Sequence, residues 1–170
     1  MIILIAGSTH TGKTALAQRL MEQYKIPYYS IDHLKMGLIR SGQTNQTADN
    51  DDELTPYLWS IVKEIIKTAI ENGQSLIIEG CYIPFDWQKD FSAEYLKDIR
   101  YFCLIMTEKY IENNFSDILK FENVVERRKF AGDVSKSELT DDNRRNLQMC
   151  KKFNLDYILI AQTYGLDVKL

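Results

Sequence analysis

The feature that most constrains this chain is a glycine-rich stretch between a short apolar run and an amphipathic run. Residues 1–6 are Met-Ile-Ile-Leu-Ile-Ala, which is typical of a buried parallel strand. Residues 15–21 carry apolar side chains at helical spacing. Between them, residues 7–14 read Gly-Ser-Thr-His-Thr-Gly-Lys-Thr, which is the pattern of the phosphate-binding P-loop. The sequence therefore predicts a strand, a phosphate-binding loop and a helix in succession.

A loop of this kind binds phosphate largely through its backbone. Glycines let the chain wrap around a phosphate group, and the amides at the start of the following helix point at the anion. We expect Lys13 to contact the β- and γ-phosphates of ATP and the Thr14 hydroxyl to ligate Mg²⁺. The residues expected to bind the nucleotide are Gly7, Ser8, Thr9, His10, Thr11, Gly12, Lys13 and Thr14.

The composition is that of an ordinary globular protein. A length of 170 residues predicts one domain, here residues 1–170. The net charge of −3 argues against a general nucleic-acid surface but allows a local basic pocket for phosphate. The composition leaves the oligomeric state open.

The cysteines and the apolar segments indicate a cytoplasmic protein. The three cysteines are odd in number, far apart and without metal-ligand spacing, so we expect reduced thiols. The apolar start is too short for a signal peptide, and no run approaches the length of a membrane span. We therefore expect no membrane partner.

Apolar runs and helical patterns alternate along the chain. Such alternation predicts an α/β fold of three layers with a parallel sheet of about five strands. Residues 43–53 are polar and acidic and are expected to form a loop, and the Thr55-Pro56 pair that follows suits a helix N-terminus. Strands are predicted at 1–6, 28–31, 75–80, 99–106 and 157–161, and helices at 15–21, 34–40, 56–72, part of 86–97, 108–129 and from about 140.

Two acidic residues follow predicted strands. Asp32 comes after the second strand and Glu79 ends the third. We expect both strands to flank the P-loop strand. The two acids would then lie at the carboxyl ends of strands, where ligands collect in open α/β sheets. No Asn-Lys-x-Asp tetrapeptide occurs, which weighs against a GTPase, and the chain is short for an ATPase motor.

In three places the sequence resembles the small P-loop kinases of the adenylate kinase and shikimate kinase kind. The first is the P-loop itself. The second is Asp32-His33-Leu34-Lys35, which is similar to the Asp-x-x-Arg that opens the acceptor-binding helix of nucleoside monophosphate kinases. The third is residues 77–80, Ile-Ile-Glu-Gly, followed by Pro84, which resembles most closely the Glu-Gly segment of 2-phosphoglycerate kinases and zeta-toxin-type kinases.

The resemblance implies a small lid and a set of site residues. The lid would span about residues 115–137 and present Arg127 and Arg128 to the phosphates. A further phosphate-facing arginine would be Arg144 on the next helix. Residues placed to bind the acceptor are Asp32, Lys35, Arg40 and Gly80, and Glu79 would join Thr14 at the metal.

The chain departs from adenylate kinases at several positions. Lys35 replaces an arginine, Glu79 replaces an aspartate, and Phe85 follows Pro84 where an arginine is usual. These departures count against AMP as the acceptor. They do not affect phosphoryl transfer itself.

The favoured interpretation is in-line transfer of the γ-phosphoryl group of Mg-ATP to a hydroxyl or phosphate of a small molecule. Lys13, magnesium and lid arginines would offset the transferred charge, and Asp32 would orient or deprotonate the acceptor. Two alternatives stay open. One is a nucleoside monophosphate kinase, and the other is a regulatory module that binds nucleotide without transferring phosphate.

Overall fold

A computed structural model of the protein describes residues 1–47, 51–120, 134–164 and 168. The strands are β1 (Ile2–Gly7), β2 (Tyr28–Ser30), β3 (Leu76–Glu79), β4 (Ile99–Met106) and β5 (Tyr157–Ile160). The helices are α1 (Lys13–Tyr24), α2 (Ile31–Arg40), α3 (Asp51–Glu71), α4 (Ala93–Leu96), α5 (Glu108–Lys120) and α6 (Lys136–Phe153), with a 3-10 turn at Trp87–Asp90.

The described strands form one five-stranded sheet in the order β2-β3-β1-β4-β5, and every neighbouring pair is parallel. This confirms the predicted α/β fold and parallel sheet. The expectation that the second and third strands both flank the P-loop strand is right for the third strand and wrong for the second. The neighbours of β1 are β3 and β4, and β2 lies at the sheet edge beyond β3.

Two apolar layers enclose the sheet, as strand β1 shows most directly. All six of its residues are buried. Ile2 and Leu4 pack in the layer that contains the apolar stripe of α3, and Ile3 and Ile5 pack in the layer of α1 and α5. A central strand covered on both faces must be apolar at every position, which explains the unbroken run at residues 1–6.

Helix α3 begins earlier than its sequence predicts. It starts at Asp51 rather than at Thr55-Pro56, and Pro56 lies inside it. Proline normally interrupts a helix because it lacks an N–H group. Here Leu54 is fully buried, and the Thr55 hydroxyl donates to the Asp51 carbonyl at 2.8 Å. Packing and this side-chain bond stabilise the turn that precedes the proline.

Helix α6 also begins earlier than predicted, at Lys136 rather than near Thr140. Ser135 and Glu138 form a capping box: the Ser135 hydroxyl accepts from the Glu138 N–H at 3.1 Å, and the Glu138 carboxylate accepts from the Ser135 N–H at 2.9 Å. The Ser-x-x-Glu spacing is the signal that locates this start. The predicted extension of α5 from 121 to 129 lies outside the described residues.

None of the helices in the described part of the chain has the length and apolar character needed to cross a bilayer. Cys81, Cys103 and Cys150 are free thiols, the first exposed and the other two buried. Across residues 1–47, 51–120, 134–164 and 168, no three metal-binding side chains are grouped together.

Candidate active site

The loop between β1 and α1 has an unusual backbone. Gly7 has φ 144°, Gly12 has φ 82°, and His10 has φ 61°. At Gly7, an added Cβ would lie 2.7 Å from the Leu104 carbonyl oxygen of β4, so the loop touches the neighbouring strand. His10 adopts its positive φ as a non-glycine residue, but Gly7 and Gly12 combine positive φ with a neighbour where a Cβ would lie, which accounts for the two glycines of the motif.

The N-terminus of α1 is suited to an anion. Its N-cap, Gly12, supplies no side-chain hydrogen bond, and the first turn contains no acidic residue. Helix N–H groups in this position carry partial positive charge and bind phosphate. The Ser8 hydroxyl is buried without a hydrogen-bond partner among the described residues. A phosphate oxygen would satisfy these donors.

Lys13 is the first residue of α1, and its side chain lies against the loop that precedes the helix. Its ammonium donates to the Ser8 carbonyl at 2.8 Å, and the residue is only 7% exposed. Burial alone would lower its pKa, but Cys81, Glu79 and Asp32 lie close enough to outweigh that effect and raise the pKa. The side chain is therefore a charged, buried cation held at the loop.

Thr14 and Glu79 meet at the carboxyl end of β3. The Thr14 hydroxyl donates to a Glu79 carboxylate oxygen at 3.3 Å, and Glu79 is 1% exposed. Hydroxyl and carboxylate oxygens are the ligands that Mg²⁺ prefers. This pair fits the predicted metal site, since both atoms are oxygens and both lie next to the phosphate-binding loop.

Asp32 lies in the first turn of α2 and is joined to Lys35 by an ion pair at 3.2 Å. The Lys35 ammonium also donates to the Tyr82 hydroxyl at 2.6 Å, and that hydroxyl donates to Asp51 at 2.9 Å. Three segments are linked in this way: the start of α2, the loop after β3 and the start of α3. Burial, with further contributions from Asp51, raises the pKa of Tyr82 well above its usual range, so the phenol keeps its proton and can donate to Asp51.

Gly80 brings α2 against β3. A Cβ at this position would lie 2.9 Å from the Ile31 Cβ, and the Gly80 N–H donates to the Ile5 carbonyl at 3.1 Å. The missing side chain therefore lets α2 begin directly on the sheet. As a result Asp32 lies near Lys13, although β2 is not a neighbour of β1.

Besides Tyr82, two residues of this region were missed by the sequence reasoning. The Cys81 thiol lies near Lys13, Glu79 and Asp32. Desolvation of the thiol raises its pKa, the Lys13 charge opposes that rise, and the Asp32 charge adds to it. Its position directly after Glu79-Gly80 is the signal that could have placed it at the site.

Tyr164 is the second missed residue. Its hydroxyl donates to the Thr11 carbonyl at 3.0 Å, across 153 residues of sequence. Burial raises its pKa to about 12, with a further rise from Tyr110 and an opposing effect of Arg19. Nothing in the local sequence indicates this contact, because it depends on where the chain runs after β5.

The structure does not bring every predicted residue to this centre. Arg40 is the exposed last residue of α2, about 12 Å along the helix axis from Asp32. Arg144 is exposed on α6 and pairs with Asp141 and with Glu108, the latter at 3.5 Å. Arg127 and Arg128 lie outside the described residues, so their role in a lid stays a prediction.

We expect Gly12→Ala and Gly37→Ala to change stability in opposite directions. A Cβ on Gly12 would overlap the Tyr164 hydroxyl and force an L-residue to φ 82°. Gly37 lies within α2 with nothing within 4 Å of an added Cβ. Gly12→Ala should lower the free energy of unfolding by about 1–3 kcal/mol, and Gly37→Ala should raise it by about 0.5–1 kcal/mol. Urea denaturation measures the free energy of unfolding of both variants. The same change in both would contradict the geometry described for the loop at Gly12.

Tyr82→Phe should loosen the start of α3. The ring is kept, but Lys35 and Asp51 each lose a hydrogen-bond partner, at a cost of about 1–3 kcal/mol. The matched control is Tyr57→Phe, since the Tyr57 hydroxyl makes only an exposed bond to the Gln43 carbonyl. Hydrogen exchange should show faster exchange in the first turns of α3 for Tyr82→Phe alone. Identical behaviour of the two variants would show that the three-segment link contributes nothing.

The sheet order and the phosphate-binding loop define a P-loop protein of the kinase-like class. The family model of Zeta toxin matches residues 1–106, and the chain belongs to the Zeta toxin family. The matched segment includes the P-loop, Asp32 and Glu79. The predicted resemblance to small P-loop kinases is therefore confirmed.

Solved structures agree on the fold. A candidate kinase from Chloroflexus aurantiacus has a TM-score of 0.57 at 18% identity, covering 96% of this chain and 88% of its own. A sugar kinase from Janibacter has a TM-score of 0.53 at 13% identity, covering 94% of this chain and 84% of its own. Shikimate kinase from Bacteroides thetaiotaomicron has a TM-score of 0.50 at 15% identity, covering 95% of this chain and 85% of its own. No curated protein sequence matches significantly.

Proposed function

We propose that the protein transfers the γ-phosphoryl group of Mg-ATP to a hydroxyl or phosphate of a small molecule. The observation that carries this proposal is the meeting of Lys13, Thr14 and Glu79 with Asp32 at the carboxyl end of the sheet. A buried cation, a pair of oxygen ligands and a nearby carboxylate are the groups that this reaction uses.

The residues divide into two sets. The amides of residues 7–14 and Lys13 bind the phosphates and offset the charge that develops on them. Magnesium held by Thr14 and Glu79 would neutralise part of the remaining phosphate charge. The lid arginines Arg127 and Arg128 belong to the same proposal, as does a phosphate-facing role for Arg144.

Asp32 acts on the acceptor. When the acceptor is a hydroxyl, the oxygen of that hydroxyl attacks the γ-phosphorus and its proton passes to Asp32. The bond from the γ-phosphorus to the β,γ-bridging oxygen breaks. ADP is the leaving group. Lys35 holds the Asp32 carboxylate at 3.2 Å and presents positive charge to an acidic acceptor, while Arg40 could contribute only to a long one.

The test is ADP release from Mg-ATP with a panel of acceptors: sugar acids, phosphorylated metabolites and nucleoside monophosphates. Asp32→Asn should lower acceptor-dependent release by about 10²-fold or more. Asp98→Asn is the matched control, because Asp98 is exposed just before β4 begins. Preference for a nucleoside monophosphate would identify a nucleotide kinase. If ATP binds but no acceptor raises turnover above that of Asp32→Asn, the transfer proposal is wrong and a regulatory nucleotide-binding role is favoured.

A further inference from the structure

Tyr164 contacts the phosphate-binding loop from outside the core. It follows the end of β5 by four residues, and β5 is parallel to the other strands, so the chain leaves the sheet at the edge that carries the loop. The Tyr164 hydroxyl donates to the Thr11 carbonyl at 3.0 Å. Tyr164 is 43% exposed and belongs to neither apolar layer of the protein. The side chain therefore supports the loop rather than the core.

The Tyr164 hydroxyl fills the space in which a side chain on Gly12 would lie. A Cβ added to Gly12 would lie 1.4 Å from the hydroxyl oxygen and 2.5 Å from the Cζ atom of the ring. Gly12 is also the N-cap of α1, at φ 82°. Glycine at this position therefore meets two needs, because it allows the backbone conformation and leaves room for the phenol.

The bond from Tyr164 fixes the orientation of one peptide unit. The Thr11 carbonyl and the Gly12 N–H belong to the same trans peptide group, so they point in opposite directions. Tyr164 holds the carbonyl on its own side of the loop, and the Gly12 N–H consequently faces away from Tyr164. N–H groups at the start of a helix are the donors that bind phosphate.

The rest of the loop does little to hold this peptide unit. The Thr11 side chain is fully buried and donates to the Ser8 carbonyl at 2.8 Å, but this bond fixes the side chain and not the peptide group that follows it. Glycine adopts positive and negative φ about equally readily, so rotation of the unit is easy at Gly12. A rotated unit would present its carbonyl oxygen to the phosphate and repel it.

The Tyr164 phenol is suited to a permanent donor role. Burial raises the pKa of Tyr164 to about 12, with a further rise from Tyr110 and an opposing effect of Arg19. The hydroxyl therefore keeps its proton throughout the neutral range and can donate it to the Thr11 carbonyl.

We propose that Tyr164 is a positioning residue for phosphate binding, which holds the peptide unit between Thr11 and Gly12 so that the Gly12 N–H faces the bound phosphate. The inference rests on the proposed binding of nucleotide at the loop, and it adds to that site a residue 153 positions away from Thr11. Because Tyr164 acts through the loop backbone, its effect extends to inorganic pyrophosphate, which has neither base nor ribose.

The test is calorimetric titration of wild type and Tyr164→Phe with inorganic pyrophosphate and, separately, with ADP, each in excess Mg²⁺. Phenylalanine keeps the ring and its packing but removes the donor. We expect the affinity for both ligands to fall about 5–10-fold, the effect of one hydrogen bond. The matched control is Tyr157→Phe, because Tyr157 is 37% exposed at the start of β5, and this variant should bind both ligands as wild type does.

Two further measurements separate positioning from a loss of fold. Replacement of Tyr164 by p-aminophenylalanine keeps an N–H donor at the same ring position and should restore the affinity to within about twofold of wild type. In ¹⁵N spectra of the full chain, saturating pyrophosphate should shift the Gly12 amide signal less in Tyr164→Phe than in wild type. The Thr14 amide signal should respond alike in both proteins.

The outcomes distinguish this inference from the proposed function. Equal pyrophosphate affinity of wild type and Tyr164→Phe would overturn the inference alone. A loss confined to ADP would also overturn it, because the hydroxyl would then act on the base or ribose. A loss that follows thermal stability and is not restored by p-aminophenylalanine would assign Tyr164 a structural role instead. If wild type binds neither ligand, the proposed function fails and the inference fails with it.

Discussion

Lys13→Ala is expected to lower acceptor-dependent ATP turnover by about 10²–10³-fold and to weaken ATP binding. The ammonium is the buried cation of the loop, 7% exposed and bonded to the Ser8 carbonyl. Neighbouring acidic groups raise its pKa, so it carries full charge at neutral pH. Alanine removes that charge where negative charge accumulates during transfer. Calorimetric titration with ATP and steady-state turnover measure the two effects.

The control is Lys151→Ala, an exposed position on α6 that should leave both quantities unchanged. Thermal unfolding should accompany the comparison, because Lys13→Ala also leaves the buried Glu79 carboxylate without its nearby cation. Turnover above one tenth of wild type in a folded Lys13→Ala protein would show that Lys13 is not the principal phosphate-binding cation.

The phosphate-binding loop could be predicted from sequence because its requirements are local. The motif has two glycines, a lysine and a threonine at fixed spacing. These residues place the backbone N–H donors, the ammonium and the hydroxyl on one short loop and the helix start that follows it. The β4 bounds, Ile99–Met106, could be predicted equally well, since all but one of its eight residues are apolar or aromatic and such a segment favours a buried strand. Local signals were also present for α6, where the capping box at Ser135 was overlooked.

The rest of the site depends on tertiary packing. Tyr82 reaches Asp51 across 31 residues and Tyr164 reaches Thr11 across 153, and no periodicity reports such contacts. The order of β2 and β3 in the sheet is likewise a long-range feature that no local pattern reports. Asp32 nevertheless lies near Lys13, and Gly80, which has no Cβ, allows α2 to begin against β3.

Glu79→Gln is expected to raise the Mg²⁺ concentration needed for half-maximal turnover by about 10–100-fold. The substitution keeps the size of the side chain and its contact with Thr14 but removes the negative charge. Because Glu79 is 1% exposed, its charge is little screened and contributes strongly to cation binding. Titration of Mg²⁺ at fixed ATP measures the shift.

The matched control is Glu94→Gln on α4, which is exposed and should leave the Mg²⁺ requirement unchanged. Nucleotide binding without metal distinguishes the two possible roles of Glu79. A metal-binding carboxylate repels phosphate, so Glu79→Gln should bind metal-free ADP as tightly as wild type or more tightly. A carboxylate that serves only to hold Lys13 and Thr14 in place would instead weaken metal-free ADP binding when it is changed, with no shift in the Mg²⁺ requirement. That second pattern would remove Glu79 from the metal site and leave Thr14 as the single protein ligand proposed there.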